Sequence, residues 1–555
     1  ANLDPFLMSS MPLLLLYILI QSCAFAKLTL TWKDNTLTLH APHVPGEKIE
    51  TWYLEAYCKP GSTDRDWNQT VIPHQTKLLS ATPTQIKLRC TLADGTTIDH
   101  FITTDDDSVT FTLTAQNLTK EASEAHWAQP CIRVGPFTGT QQDQDKYTYL
   151  PKSFIFLEGK QTFLPTKNRA TQARYIPGQV WCPCHVDRND VNPRPLSPDV
   201  PSNGLIGCVS ADSKWLFATA WEPYQELFQG VIRCIHSDFR IGGLEPGETK
   251  TIRGKFYLLK NDPAELLRRY ENDFPLQSQD QKTLTPPTIE PGSPSAGKRV
   301  KITPPEFKGT EVHHTLYLPP HWKKDAGTYP LIVEYSGNKF PASGSTGKVE
   351  DSALGYGLSG GNAVWLNLPF ISPDGKSNQL TWWGDKQASA AYAKLVVPRI
   401  IKQFRIDPEK IILCGFSRGA IGVSHIGLHD DEISALWSAF MTHDHFDGIR
   451  AWQKPWGAPL EQYRRETATR LSRLKGRPLL VCQNGHTKDI QGFLQSLPEI
   501  TNVTYIDLNT RDILGTFPNS TAPHPHTDRW LFRPSSARHQ AWRWLQNQAL
   551  ADEPK

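Results

Sequence analysis

The pentapeptide Gly415-Phe416-Ser417-Arg418-Gly419 constrains this chain more than any other stretch. It follows the apolar run Lys410-Ile411-Ile412-Leu413-Cys414, which reads as a buried strand. It precedes Ala420-Ile421-Gly422-Val423-Ser424-His425-Ile426-Gly427-Leu428, which reads as a buried helix. A strand that turns into a helix within five residues passes close to that helix, so the flanking positions must be small. Glycine at 415 and 419 meets the requirement. Such a turn strains Ser417 and lifts its hydroxyl above the sheet. The helix N-terminus then lies beneath it, where partial positive charge favours a developing anion.

The rest of the chain falls into two parts of different periodicity. From residue 27 to 275 the pattern is period two, as in Leu28–Trp32, Ser108–Thr114 and Thr249–Leu259, with turn residues between segments. Helical spacing enters only near its end, in Pro263–Tyr270. This part reads as an all-β sandwich. Residues 276–299 are rich in Gln, Ser, Thr, Pro and Gly and read as a linker. From 300 to 550 strands and helices alternate. Strands are expected at Tyr329–Tyr335, Ala363–Pro369, Lys410–Cys414, Ala435–Phe440 and Pro478–Cys482, with a long amphipathic helix over Asp385–Phe404 and a terminal one over Ser536–Leu545. The expected fold class is therefore α/β, a mostly parallel sheet preceded by an all-β sandwich.

Residues 1–26 read as a signal peptide. Pro12 opens the apolar run Leu13–Ile20, and Ala24-Phe25-Ala26 has the form of a cleavage site before Lys27. The run is too short to span a bilayer, so a secreted or periplasmic protein without stable membrane insertion is expected. Ile20-Gln21-Ser22-Cys23 loosely resembles a bacterial lipobox, which would make Cys23 a lipid anchor. Nine cysteines follow that point, and an odd number leaves at least one unpaired. A net charge of +3 gives no basis for nucleic-acid binding. The 17 tryptophans include a surplus of flat faces that suits sugar or aryl ligands.

Gly-x-Ser-x-Gly between strand and helix resembles the nucleophile elbow of the α/β-hydrolases. The resemblance implies a serine nucleophile, an acid and a histidine in that chain order, and acyl transfer without a cofactor. The histidine belongs after the last strand, where Pro523-His524-Pro525-His526-Thr527-Asp528-Arg529-Trp530 precedes the terminal helix. His526 is the favoured base and His524 the next; His-Thr-Asp-x-Trp also resembles the histidine loop of secreted esterases. His539, on the terminal helix, reads as structural. Two slots offer the acid. Asp489 follows the strand ending at Cys482, at Gly-x-x-Asp spacing, and Asp447 precedes Gly448 after the preceding strand, with Asp444 behind both.

An oxyanion needs two backbone donors. The N–H of Arg418 supplies one, and the loop Ser336-Gly337-Asn338-Lys339 the other, with Gly337 permitting a tight turn and Asn338 adding a side-chain amide. The Arg418 guanidinium is also a candidate for holding a substrate carboxylate. In this respect the chain is similar to the glucuronoyl esterases, whose elbow carries Cys-Ser-Arg and whose acid can sit in the earlier slot; Phe416 replaces that cysteine here. Trp382 and Trp383 are candidates for framing the substrate cleft. The segment Arg240–Glu248, with the strand and helix after it, resembles the end of the large sugar-associated sandwiches related to galactose mutarotase. No metal site is expected. Trp181-Cys182-Pro183-Cys184-His185 has ligand residue types but lacks a second matching pair.

These readings converge on a secreted carbohydrate esterase with an ester-bearing polysaccharide as partner. Two rivals share the pattern, a serine peptidase of the prolyl-oligopeptidase type and an inert glycan-binding protein.

Overall fold

The structure is a computed structural model, and it describes residues 27–61, 66–140, 144–145, 147–167, 180–191, 195–230, 232–275, 277, 282–452, 459–515 and 522–550. The expected signal peptide and Cys23 lie outside these residues. No helix among them is long and apolar enough to cross a membrane.

Between Thr29 and Lys260 the chain forms two antiparallel sheets of eight and nine strands. Apart from the edge strands His74–Thr82 and Lys160–Phe163, which bury no residue, the alternation read in the sequence puts one side of most strands into a shared core. Leu88, Phe111 and Phe256 of one sheet pack there with Tyr53, Ile132 and Phe239 of the other. Helix α1 (Pro263–Asp273) follows, capped by Asp262, whose carboxylate accepts from the N–H groups of Ala264 and Glu265. The stretch 276–299 is not a free linker throughout. Leu284 N–H donates to Phe532 O (2.8 Å), and Ile289 and Glu290 pair in parallel with Arg299 and Val300. Pro-rich chain resists helices but can still line a sheet edge.

The third sheet has nine strands: β1 (Ile289–Glu290), β2 (Arg299–Ile302), β3 (His314–Tyr317), β4 (Tyr329–Tyr335), β5 (Val364–Leu368), β6 (Ile406–Phe416), β7 (Ala439–His443), β8 (Leu479–Asn484) and β9 (Val503–Leu508), in the spatial order β1-β2-β3-β5-β4-β6-β7-β8-β9. From β5 to β9 every pairing is parallel. Successive residues of each strand divide between two layers. Leu331, Val333, Ile411 and Leu413 face one core, shared with α3 (Lys386–Phe404) and α4 (Arg418–His425). Ile332, Ile412 and Cys414 face the other, shared with α2 (Leu354–Ser359) and α7 (Ser536–Trp544). Burial on both faces explains why these strands read as continuous apolar runs.

The sheet departs from the sequence reading at several points: Ile289–Glu290, Arg299–Ile302 and His314–Tyr317 lie outside the five expected strands, and the strand expected at Lys410–Cys414 runs from Ile406 to Phe416. The strand expected at Ala435–Phe440 is Ala439–His443, because Asp431–Ser434 forms a short helix and the chain enters the sheet later. Val503–Leu508 is a further strand outside the expected five, disguised by its polar Thr504 and Asp507.

Candidate active site

The elbow forms as the spacing requires. Ser417 sits at φ 58°, ψ −119°, between the end of β6 and the start of α4. A Cβ on Gly415 would lie 2.2 Å from Gly419 O, and one on Gly419 would lie 2.0 Å from Tyr335 O. Both positions therefore exclude any side chain, and the strain at Ser417 is held by packing on either side. The Ser417 N–H donates to His443 O (2.9 Å), which ties the elbow to the end of β7.

Ser417 Oγ lies 3.0 Å from His526 Nε2, and His526 Nδ1 lies 2.5 Å from Asp444 Oδ2. The other oxygen of Asp444 accepts from Gln483 Nε2 (3.1 Å) and Asn484 N–H (3.2 Å). Burial opposes ionisation of Asp444. The hydrogen bond from His526 and the nearby histidines His443 and His445 outweigh it and hold the carboxyl down to about 2. The histidine loop is pinned from several sides: His443 Nε2 to Thr527 O (2.9 Å), Thr510 Oγ1 to Pro525 O (2.8 Å) and Ala353 N–H to Asp528 Oδ2 (3.1 Å). Burial lowers the His443 pKa, which favours the neutral ring that donates to Thr527 O. His445, 5.4 Å from His526 between ring centroids, is lowered to about 4 by burial first and by the charge of His526 second.

The two favoured acids stand elsewhere. Asp447 is buried among Ser424 Oγ (2.8 Å), Tyr463 OH (2.5 Å) and Arg470 Nε (2.9 Å), an arrangement that ties α4 to α5 (Leu460–Leu471). Asp489 is exposed in the first turn of α6 (Lys488–Gln495). Asp444 takes the position beside His526 because β7 runs to His443. The first loop residue after the strand is then Asp444, held at φ 59° with its N–H on Cys482 O (3.0 Å). Placing the end of β7 correctly was the missing signal. His524 accepts from His526 N–H at Nδ1 (3.0 Å) and so helps shape the loop. His539 stacks on His185, centroids 4.0 Å apart, away from the serine.

Arg418 starts α4, so its backbone N–H has no acceptor within the helix. Its side chain is not available to a substrate. The guanidinium is buried and donates to Ser336 O (3.3 Å), Gln379 O (3.1 Å), Trp382 O (2.7 Å) and Gly347 O (2.8 Å), and it lies 4.7 Å from the Phe370 ring centroid. Burial pulls its pKa down to about 9. Its carbonyl partners spread over the loops after β4 and β5, which it binds together. Gly337 is buried beside the elbow, but not for a turn that needs positive φ. A Cβ there would lie 2.8 Å from the Phe416 ring. Asn338 accepts from Trp382 N–H through its side-chain oxygen (2.7 Å), which supports Trp382 at φ 57°.

An open cleft of about 450 Å³ lies over Ser417 and His526, lined among others by Phe340, Trp382, Arg450 and Trp452. Trp382 meets Trp452 edge-on, with centroids 5.1 Å apart. Trp383 does not frame this cleft; it is fully buried and donates from Nε1 to Arg418 O (3.1 Å). Sequence reasoning did not find Phe340, Arg450 or Trp452, which stand in irregular loops without a motif.

No family model matches the chain, and no curated protein matches it. Among solved structures it is similar to esterase Est22 with p-nitrophenol, at 12% identity over 45% of this chain and 79% of that one, with a TM-score of 0.32. It is also similar to a thermostable esterase, at 13% identity over 78% and 98% of the two chains and a TM-score of 0.29. Carboxylesterase Cest-2923 from Lactobacillus plantarum WCFS1 gives 14% identity over 46% and 99%, with a TM-score of 0.31. Likenesses this distant carry no argument, and the functional reading rests on the geometry above.

Proposed function

We propose that this chain is a serine hydrolase of the α/β-hydrolase type that cleaves carboxylic esters through an acyl-enzyme. The observation that carries the reading is the unbroken hydrogen-bonded series Ser417 Oγ, His526 Nε2, His526 Nδ1 and Asp444 Oδ2. His526 takes the proton of Ser417 as Oγ attacks the ester carbonyl, then gives it to the departing alcohol. In the second half it deprotonates a water that releases the acid. Asp444, ionised at any working pH, fixes the tautomer that leaves Nε2 free to accept and stabilises the imidazolium that forms. The N–H of Arg418 and the buried loop at Gly337 would face the oxyanion. None of these steps calls on a cofactor.

For the substrate we propose an ester carried on a polysaccharide. The cleft is open, and its rim presents the aromatic faces of Trp382, Trp452 and Phe340 beside exposed Arg450, which suits a sugar ring with a polar or anionic substituent. Residues 27–275 would form a β-sandwich domain preceding the catalytic domain, and the whole would be exported. The peptidase alternative gains nothing from the fold: peptidases of the prolyl-oligopeptidase type normally join this fold to a propeller of four-stranded blades, and the sheets here have eight and nine strands.

A fluorophosphonate probe tests the chemistry directly. The intact protein should be labelled at Ser417 and Ser417→Ala should not; an unlabelled, folded wild-type protein overturns the proposal. Screening acetylated, feruloylated and glucuronoylated glycans then tests the substrate class.

A further inference from the structure

A second group of reactive side chains converges on the eight-stranded sheet, a different sheet from the one that carries Ser417. Cys131 lies on the strand Trp127–Arg133, and Cys234 and His236 lie on the neighbouring strand Cys234–Arg240. One ligand atom from each, the two Sγ and a ring nitrogen of His236, falls within 4.8 Å of the others. Cys234 Sγ is 3.2 Å from His236 Nε2, and all three residues are buried.

We propose that Cys131, Cys234 and His236 form a binding site for a thiophilic transition metal, zinc first. Zinc–sulfur and zinc–nitrogen bonds of about 2.3 and 2.05 Å at a tetrahedral angle place sulfur and nitrogen about 3.6 Å apart. The observed 3.2 Å needs only a small adjustment to reach that separation.

Three further observations fit an ion. Asp238 Oδ1 lies 3.7 Å from His236 Nδ1, the side of the ring away from Cys234, and Asp238 is fully buried. The two groups face each other as a buried ion pair with Glu226 beside Asp238, and neither that nitrogen nor either carboxylate oxygen makes a short hydrogen bond among the described residues. A buried carboxylate behind a ligating imidazole orients the ring and raises its basicity, whereas without a metal both groups are buried at a cost. Phe228 stacks on His236, with ring centroids 4.1 Å apart and planes within 10°, and fixes its plane. Gly230 leaves the required space: a Cβ there would lie 2.1 Å from Cys234 Sγ and 3.0 Å from His236 Nε2. The backbone around that space is held by Tyr149 OH, which donates to Gly230 O (2.6 Å) and Cys234 O (3.0 Å).

The obvious rival is a disulfide between the two cysteines. Ile132 pairs with Ile235 and Ala128 with Phe239, so the same register sets Cys131 opposite His236 and diagonal to Cys234. Diagonal Cα atoms stand about 7–8 Å apart, beyond the usual span of a disulfide. Metal binding would deprotonate both thiols, release two protons and form two metal–sulfur bonds and one metal–nitrogen bond, with no change of oxidation state. The neutral charge of a divalent ion with two thiolates suits this buried position. A fourth ligand, water in the simplest case, would enter on the Gly230 side.

Elemental analysis of the full chain, produced with added zinc and dialysed without chelator, should find about one zinc per chain. Cys131→Ser and Cys234→Ser should each lower this at least tenfold, while Cys208→Ser, a buried thiol of the neighbouring sheet, should not. Circular dichroism and probe labelling at Ser417 check that each variant is folded. Should the variants not fold, cobalt-loaded wild-type protein decides, since thiolate-to-cobalt charge-transfer bands report the same ligands. Folded wild-type protein that takes up less than a tenth of an equivalent of zinc, or a Cys131–Cys234 disulfide in peptide mapping, overturns the proposal.

Discussion

Asp444→Asn and Asp447→Asn make the sharpest pair of perturbations, because the two carboxylates are three residues apart and have opposite surroundings. In Asp444, Oδ1 accepts from Gln483 Nε2 and Asn484 N–H, while Oδ2 faces His526 Nδ1. An asparagine at 444 keeps its oxygen with the two donors, which turns its NH2 towards His526. Nδ1 must then accept, the ring proton moves to Nε2, and Nε2 can no longer take the proton of Ser417. A wrong tautomer of this kind costs about four decades in kcat, roughly 5 kcal/mol of transition-state stabilisation. The fold should barely notice, because shape and hydrogen-bond count are nearly kept. Asp447→Asn should behave in the opposite way. It leaves Arg470 without its carboxylate and Tyr463 and Ser424 with a poorer acceptor, all around a fully buried position. Breaking a buried pair costs about 3–5 kcal/mol of stability, while the hydrogen bonds of Ser417, His526 and Asp444 remain in place. Burst and steady-state hydrolysis of p-nitrophenyl acetate, run beside urea unfolding, separates the two effects. An Asp444→Asn protein within tenfold of wild-type kcat, or a folded Asp447→Asn protein that loses kcat to the same degree, would refute the assignment.

The Asp447 deficit should also depend on pH in a defined direction. Burial resists the charge on Asp447, but His425, Arg470 and Tyr463 outweigh it and hold the carboxyl below the usual carboxylate range. A lowered folded pKa gives stability that is present above the unfolded value of about 3.9 and is lost as pH falls below it. The gap in unfolding free energy between wild type and Asp447→Asn should thus be full at neutral pH and close below about pH 4; a gap that widens on acidification contradicts the assignment. Arg418→Lys should cost about 3–5 kcal/mol of stability, since an ammonium cannot reach all the carbonyls that the guanidinium joins. KM for neutral and anionic esters should move together in that variant, and a rise confined to carboxylate-bearing substrates would restore Arg418 as a substrate ligand. Gly337→Ala should push Phe416, whose ring centroid is 4.7 Å from that of His526, and displace the loop that would face the oxyanion. A fall in kcat of about 10²–10³ with little change in KM is expected, measured on the same ester.

How much of this was legible beforehand follows from what each residue has to do. Gly415, Ser417 and Gly419 carry a backbone requirement, and backbone requirements have few solutions in sequence. A contact as close as 2.0 Å to Tyr335 O leaves only glycine at 419. His526 was legible for a related reason, because chain order in a parallel sheet puts the last loop over the elbow. The acid was not legible from motif. Sequence alone allows the acid to come from the loop after either β7 or β8, because it only has to reach the far imidazole nitrogen, and the choice turns on where β7 ends. Polar Thr442 and His443 at its end look like loop, yet both are buried strand residues, with His443 stacked on Phe416 and bonded to Thr527. Arg418 shows the converse error. Its position beside the nucleophile suggested substrate contact, but the side chain of the first helical residue turns away from the hydroxyl and is spent on four backbone carbonyls. The cluster at Cys131, Cys234 and His236 was invisible for a third reason. Cys131 lies about a hundred residues before Cys234 and His236, and only the register of two antiparallel strands brings it to them. Sequence spacing thus reports chemistry where a single turn builds the site, and it falls silent where strand register or the end of a strand decides which side chains meet.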